Sequence, residues 1–479
     1  MRYHQRKDLK VLVAGTSPFN DTVIRELLAA KGPVYGNSRV GSITAVVGGD
    51  AERRLARHPG LSFVPGDAAD PAVLERAGSS GADVILVNAY GSGNAERETK
   101  AVLRALREPR AAPKPGAQVS ATGRGDGATR DGTAFHCVED VFTRLIAQSA
   151  RQRGLARVYR ELLSFHGNDF YFLPGRDLAG ITFSRCLRAF ANACPVGIRR
   201  GGKTTLNPAM TDTIGHDDEL VILAHSLSDV TKNPSILPIP DETSISRDEL
   251  ATMRQESYLF LGWNRLCPGI LAEINRYSHE DSVAGITAEG GEARGALPRL
   301  GNLALTALEG SCYDDAFLGS IPWEHWENVI IPGTAEPGDG SATERLSAVR
   351  SALATRGFEN NLTAVSWKAD DGESLEGVLS VTLVFRILAQ LALNPGLSEV
   401  ITEITSPVGA EIYLKPVENY VVLDKPCDFY TILESAKRKG ETAIGFTKSG
   451  NPSPSINPPK AQKERFGHFD RIVVLADEN

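Results

Sequence analysis

A long pattern in this chain occurs twice. Residues 167–224 run from Gly-Asn-Asp-Phe-Tyr-Phe-Leu-Pro through an amphipathic TFSRCLRAFANA and VGIRRGGKTTLNP to DELVILA. Residues 409–476 run from GAEIYLKP through DFYTILESAKRKG and AIGFTKSGNPSPSINP to DRIVVLA. The two pair Gly167 with Gly409, Tyr171 with Tyr413, Pro174 with Pro416, Asn207-Pro208 with Asn457-Pro458, and Leu223-Ala224 with Leu475-Ala476. Each copy has the pattern strand, helix, strand, Gly turn, Asn-Pro turn, strand, which is a small α+β unit and not a short solenoid repeat. Before each copy, 138–164 and 375–406 both read as an apolar helix, a turn and a second helix, so whole domains are duplicated.

The segments ahead of those helices alternate strands with helices. KVLVAG (10–15) and the helix-like NDTVIRELLAAKG are followed by SITAVV, LSFVPGDAAD with PAVLERAG, ADVILVNAY and ERETKAVLRALRE. That order predicts a parallel, doubly wound, Rossmann-like sheet. The second half restarts the programme with SYLFLGW, NRLCPGILAEINRYS, SVAGITAE, NLALTALEGS and ENVIIPG. The expected fold is α/β, in two tandem units, each a Rossmann-like N-lobe, a crossover helix pair and a small α+β C-lobe. The expected boundaries are 7–107 for the first N-lobe and 135–230 for the first crossover and C-lobe. A linker at 231–252 leads to the second N-lobe (253–374) and the second crossover and C-lobe (375–479). Residues 108–134, rich in Pro, Gly, Ala and Arg, are expected as a flexible loop.

Composition narrows the function. With 479 residues, 42% hydrophobic and 23% charged, the chain has ordinary globular content. No apolar run approaches the roughly 18 residues a membrane helix needs, and the basic, polar MRYHQRKDLK has no signal-peptide core after it, so direct membrane insertion is not expected and a cytoplasmic setting is. A net charge of −7 argues against nucleic acid. The six cysteines form no C-x-x-C pair, so neither structural zinc nor a disulfide framework is expected.

A dinucleotide site places pyrophosphate at the first helix N-terminus and an acid after the second strand. In the first lobe the candidates are Gly15, Thr16, Asp50 and Gly66-Asp67-Ala68; in the second they are Gly262 and Glu289. Their ligand would be NAD(H) or another adenine nucleotide. Gly-Thr-Ser-Pro-Phe-Asn lacks the later glycines of G-x-G-x-x-G, and Asp50 lies further on than the usual spacing. A Rossmann frame without its nucleotide is therefore an open alternative. An enzyme is another, but Tyr3/Lys7 precedes the first strand, His136 and His166 have no evident partner, and no G-x-S-x-G occurs.

GDAADPAVLERAG with VILVNA resembles the RCK (KTN, TrkA-N) domains that regulate potassium channels and transporters. VFTRLIAQSARQRGLARVYRELLSFHGNDFYF, LFLGW, ENVIIP and the tail from YTILESAKRKG to DRIVVLA resemble, more narrowly, the cytosolic part of the CASTOR and POLLUX ion channels. The resemblance implies a tandem-RCK gating module that senses a ligand, either under a separately encoded membrane channel subunit or as a free-standing relative; a scaffold without ligand is the remaining alternative. It implies a homo-oligomer, a tetramer of eight RCK domains ahead of a dimer, and it makes Ca2+ a second candidate ligand. Two departures stand out: Gly49 occupies the usual place of the acid that here is Asp50, and Glu309-Gly310-Ser311 is expected to replace Gly-Asp-Ala.

Overall fold

The computed structural model describes residues 7–30, 38–47, 61–123, 133–163, 167–232, 237–247, 256–288, 297–311, 314–334, 336, 340–367, 377–406, 409–451 and 453–477. Asp50, His166 and Glu289 lie outside them.

The first lobe is a six-stranded parallel sheet in the order β3-β2-β1-β4-β5-β6. Its strands are β1 (Lys7–Ala14), β2 (Ser38–Val47), β3 (Leu61–Pro65), β4 (Val84–Val87), β5 (Gln118–Thr122) and β6 (Ala134–His136). Helices α1 (Asn20–Ala29), α2 (Pro71–Arg76) and α3 (Ala95–Ala105) connect them. The four residues of β4 are all buried, as expected for a strand covered on both faces. The stretch expected as a flexible loop thus carries β5 and opens β6. Val119 and Ala121 pack into the lobe's core, and a five-residue strand is too short to show through its Pro- and Gly-rich surroundings.

Crossover helices α4 (Val138–Arg151) and α5 (Leu155–Leu162) lead to the first C-lobe, with β7 (Asp169–Pro174), α6 (Phe183–Cys186), β8 (Ala193–Arg200), β9 (Lys203–Leu206) and β10 (Glu219–Ala224). The second half repeats this with β11 (Ser257–Leu261), α7 (Cys267–Tyr277), β12 (Ser282–Ala288), β13 (Leu303–Glu309), α8 (Asp315–Ser320), β14 (Asn328–Ile331), α9 (Ser341–Arg356), β15 (Asn361–Ser366) and β16 (Val378–Ser380). Crossover helices α10 (Thr382–Leu393) and α11 (Leu397–Ile404) follow, then β17 (Ala410–Pro416), β18 (Cys427–Asp428), α12 (Phe429–Arg438), β19 (Thr442–Thr447), β20 (Ser455–Ile456), β21 (Lys463–Glu464) and β22 (Arg471–Asp477). The parallel sheets have matching strand orders, as do the C-lobe sheets β7-β10-β8-β9 and β17-β22-β19-β20. Even the one-residue register shift recurs, at Val221/Ile222 and Ala443/Gly445.

The halves interlock reciprocally. Helix α1 packs on α10 and α4 packs on α7; α5 reaches β17 and β20 while α11 reaches β9. One apolar core consequently runs through both halves, from Val11 and Phe19 to Phe385 and Val473. Leu145, Ile146, Leu155, Val158, Leu383, Leu388, Leu391 and Leu397 are all at most 5% exposed within a single chain. These apolar side chains of the crossover helices are therefore covered within one chain.

The C-lobes share a second reciprocal contact. Asn207 and Asn457 both adopt left-handed backbone, at φ 42° and 48°, which Asn tolerates better than most residues. The Asn207 amide donates to Gly440 O at 2.9 Å, and the Asn457 amide donates to Asn192 O at 2.9 Å. The expected linker also packs down. Asp241 N donates to Thr431 Oγ1, Ser246 N to Tyr420 O, and Ile245 bridges Val421, so residues 241–246 strap onto the second C-lobe.

Candidate functional site

In the first lobe, Gly15 has φ +115°, and a Cβ there would stand 2.3 Å from Asn88 O at the end of β4. Only glycine permits that approach. The turn that follows has its backbone donors committed. Thr16 N and Thr16 Oγ1 donate to the two carboxylate oxygens of Glu98 on α3, each at 2.7 Å. Ser17 N donates to Asn88 O at 3.2 Å, Phe19 N to Ser17 Oγ at 3.2 Å and Asn20 N to Ser17 O at 3.2 Å; Pro18 has no N–H. The Asn20 amide donates to Gly15 O at 2.7 Å, and its oxygen accepts from the Asn88 amide at 2.8 Å. A pyrophosphate cradle needs such donors free. Here a resident carboxylate takes two of them.

Gly66, Asp67 and Ala68 serve the next turn. Gly66 has φ +145° and a Cβ there would lie 2.7 Å from Val73 Cγ2 on α2. Asp67 Oδ1 accepts from Ala69 N at 2.8 Å, Ala68 is buried in the lobe core, and Asp70 caps α2 through Ala72 N at 2.8 Å.

The second lobe repeats this frame with different groups. Gly262 has φ +112° and its N–H donates to Thr287 Oγ1 at 2.9 Å. Asn264 stands where the first lobe has Ser17: its Oδ1 accepts from Leu266 N at 2.9 Å, as Ser17 Oγ accepts from Phe19 N, and its amide donates to Pro332 O at 2.9 Å. Cys267 is fully buried, and burial pushes its thiol up to about 12. Gly310 has φ +155°, and four residues on Asp314 caps α8 as Asp70 caps α2. This corrects the register expected from sequence by one residue: Gly310 is the counterpart of Gly66, so Ser311, and not Gly310, stands in place of Asp67.

The two turns look towards the opposite half. Phe19, inside the first turn, stacks on Phe385 of α10 with ring centroids 4.4 Å apart, and Tyr90, after β4, tilts against the same ring at 5.7 Å. Burial pushes the Tyr90 phenol up to about 12, against the lowering influence of Arg265. Arg265, in the second turn, pairs with Glu139 of α4. Sequence reasoning missed Glu98, Asn88 and Phe385, which no local motif announces. For acid-base chemistry, burial holds the His136 imidazole down at about 4, so it is neutral at pH 7. Among the described residues no group of three or more His, Cys, Asp and Glu could hold a metal ion, and no helix is long and apolar enough to cross a membrane.

Residues 139–240 match the family described as Castor and Pollux, part of voltage-gated ion channel. The chain is 26% identical over 391 residues to the ion channel CASTOR of Lotus japonicus, covering 71% of this chain and 46% of that one. It is also 26% identical over 399 residues to the probable ion channel POLLUX of Arabidopsis thaliana, covering 70% and 47%. The chain thus spans a little under half the length of the curated relatives it matches. The human SLO3 gating ring shares the fold, with a TM-score of 0.63 at 12% identity over 97% of this chain and 98% of that one.

Proposed function

We propose, from a tandem RCK chain related to the CASTOR and POLLUX ion channels, that this protein is a ligand-sensing regulatory module which passes a change at its first glycine turn to a cation channel. The observation that carries the reading is the stack of Phe19 on Phe385. Phe19 belongs to the turn and Phe385 to the other half's crossover helix, so a ligand that moves the turn moves α10. Packed aromatic rings shift between discrete arrangements and do not deform smoothly. The ligand proposed is an adenine nucleotide such as NAD(H), with Ca2+ second, and the setting is the cytoplasm beside a channel subunit.

A homo-oligomer, tetrameric ahead of dimeric, is part of the proposal. Its contact surface lies elsewhere than on the apolar faces of the crossover helices, which are buried. Light scattering at micromolar concentration that returns a strict monomer would remove assembly as a property of the chain alone.

The consumed donors of the first turn favour a second reading, a scaffold that keeps the RCK frame without a nucleotide. Native mass spectrometry of the purified chain separates the two. A stoichiometric nucleotide or metal supports sensing; a bare chain that also stays bare in excess NADH, ADP and Ca2+ sinks it.

A further inference from the structure

The reciprocal interlock buries two matching polar clusters, and one of them lacks a charge. On the α4–α7 side, Glu273 of α7 lies near Arg144 of α4, with Nε to Oε1 3.9 Å, and Gln148 of α4 donates to Tyr277 OH at 2.8 Å. Glu411 of β17 is 1% exposed there, with the Nη1 of Arg151, the last residue of α4, 4.0 Å from its Oε2. On the α1–α10 side, Glu26 of α1 faces Arg386 of α10 at 3.3 Å, and Gln390 of α10 donates to Oδ1 of Asp169 on β7 at 3.2 Å. Glu26, Arg386, Gln390 and Asp169 are thus the counterparts of Glu273, Arg144, Gln148 and Glu411. Where Arg151 ends α4, however, α10 ends in Leu393.

Asp169 is 5% exposed and has no cation in Arg151's place. The groups acting on it are Gln390 from α10, the backbone N–H of Phe170, which favours its charged form, and Glu26 from α1; Glu26 is itself paired with Arg386 of α10, which is coupled to Arg160 of α5. Its neighbour on β10 is Ala224, which does not titrate. Arg386 is already engaged by Glu26, and Glu26 itself disfavours a second negative charge nearby. A carboxylate buried without a counterion is costly, and neutralising it by a proton is the cheaper outcome.

We propose that Asp169 is a proton-operated catch holding the first C-lobe against crossover helix α10, closed while its carboxyl is neutral and released when the proton leaves. The catch belongs to the chain itself and stands whether or not the chain regulates a channel. Burial, the largest cause, raises the Asp169 pKa from 3.8 to about 8. The raised pKa means that the folded state holds the proton more tightly than an opened one. The group's stabilisation is thus full below 3.8, falls as pH rises and is lost by about 8.

Hydrogen exchange on the full chain, corrected for intrinsic rate, tests this. Protection of the β7 and α10 amides is expected to fall about tenfold per pH unit approaching pH 8 and then to level off. Asp169→Asn, which mimics the neutral acid, should show no such slope, and Glu411→Gln should keep it. The infrared spectrum of the unmutated protein gives an arm that does not depend on a variant folding. A protonated carboxyl C=O band should disappear near pH 8 and be missing in Asp169→Asn. An unchanged slope in Asp169→Asn, or no carboxyl band at pH 7, would overturn the proposal.

Discussion

The two halves have the same frame and different contents. Gly15 and Gly262, Gly66 and Gly310, Asp70 and Asp314, and Asn207 and Asn457 occupy equivalent places with equivalent backbone roles. Where the halves meet, the duplication has diverged. Phe385 of α10 is matched on α4 by Thr143, which lies against Gly269 of α7 closely enough that a Cβ there would stand 3.2 Å from Thr143 Cγ2. One interface is an aromatic stack and the other a close approach of small residues. Positions that set backbone geometry are held by a local constraint in each copy. Contacts between halves need only be complementary to each other, so they can specialise.

The largest effect is expected from Phe385→Ala. Phe385 is fully buried and stacked, so truncation should cost about 3–5 kcal/mol through lost transfer energy and the cavity left behind. Thr143→Ala removes less surface and a hydroxyl that bonds Asp140 O at 3.0 Å, at about 1 kcal/mol. Urea unfolding of both variants measures the difference. Equal losses would mean that the aromatic stack gives the α1–α10 side no special role.

How much of this was legible depended on whether the signal was local. The duplicated lobes, their parallel sheets and the Asn-Pro turns were readable because alternation, glycine turns and helix caps act within a few residues. Strand β5 was hidden because Gln118–Thr122 is short and set among Pro and Gly. The one-residue offset at Gly310 was hidden because no Gly-Asp-Ala survives there to anchor the register; the cap at Asp314 fixes it only once the helix is seen. The candidate site was legible only in its glycines. Glu98 lies 82 residues from the turn it occupies, and Asp169 lies 221 residues from Gln390, so no spacing rule connects them.

Effects of intermediate size are expected at the Asn clasp. Asn207→Gly and Asn457→Gly keep the left-handed backbone and delete the side-chain bonds across the pseudo-twofold, and for Asn457 also the contact with Lys460 of its own lobe, at about 1–3 kcal/mol each. Asn457→Gly should be the more costly of the two. Asn457 Oδ1 accepts from Cys194 Sγ at 3.3 Å and lies 3.5 Å from the ammonium of Lys460, which is 1% exposed, whereas Asn207 Oδ1 accepts, among the described residues, from the Thr442 hydroxyl at 2.8 Å. Leaving a buried cation short of an acceptor costs more than leaving a hydroxyl short of one. Denaturation midpoints in the reverse order would show that Lys460 is satisfied by Ala193 O and Cys194 without Asn457.

The smallest effect on stability, and the most direct on function, is expected at Glu98. Its carboxylate is on the surface, so Glu98→Ala should shift the unfolding midpoint by less than about 1 kcal/mol. Its effect on ligand binding should be larger than that. Removing Glu98 frees Thr16 N and Oγ1, whereas Ser17 N is locked to backbone, Phe19 N stays on the Ser17 hydroxyl and Pro18 has nothing to give. An anionic ligand at this turn must displace Glu98 or share its donors. Calorimetry with ADP should therefore give about tenfold tighter binding to Glu98→Ala than to the unmutated chain, equivalent to about 1.4 kcal/mol. Glu289→Ala, on the second lobe, should leave the affinity unchanged. If neither the unmutated chain nor Glu98→Ala takes up ADP, the bonds of Ser17, Phe19 and Asn20 close the turn by themselves. The first lobe would then serve as a rigid arm that carries Phe19 to α10, and sensing would have to reside elsewhere in the chain.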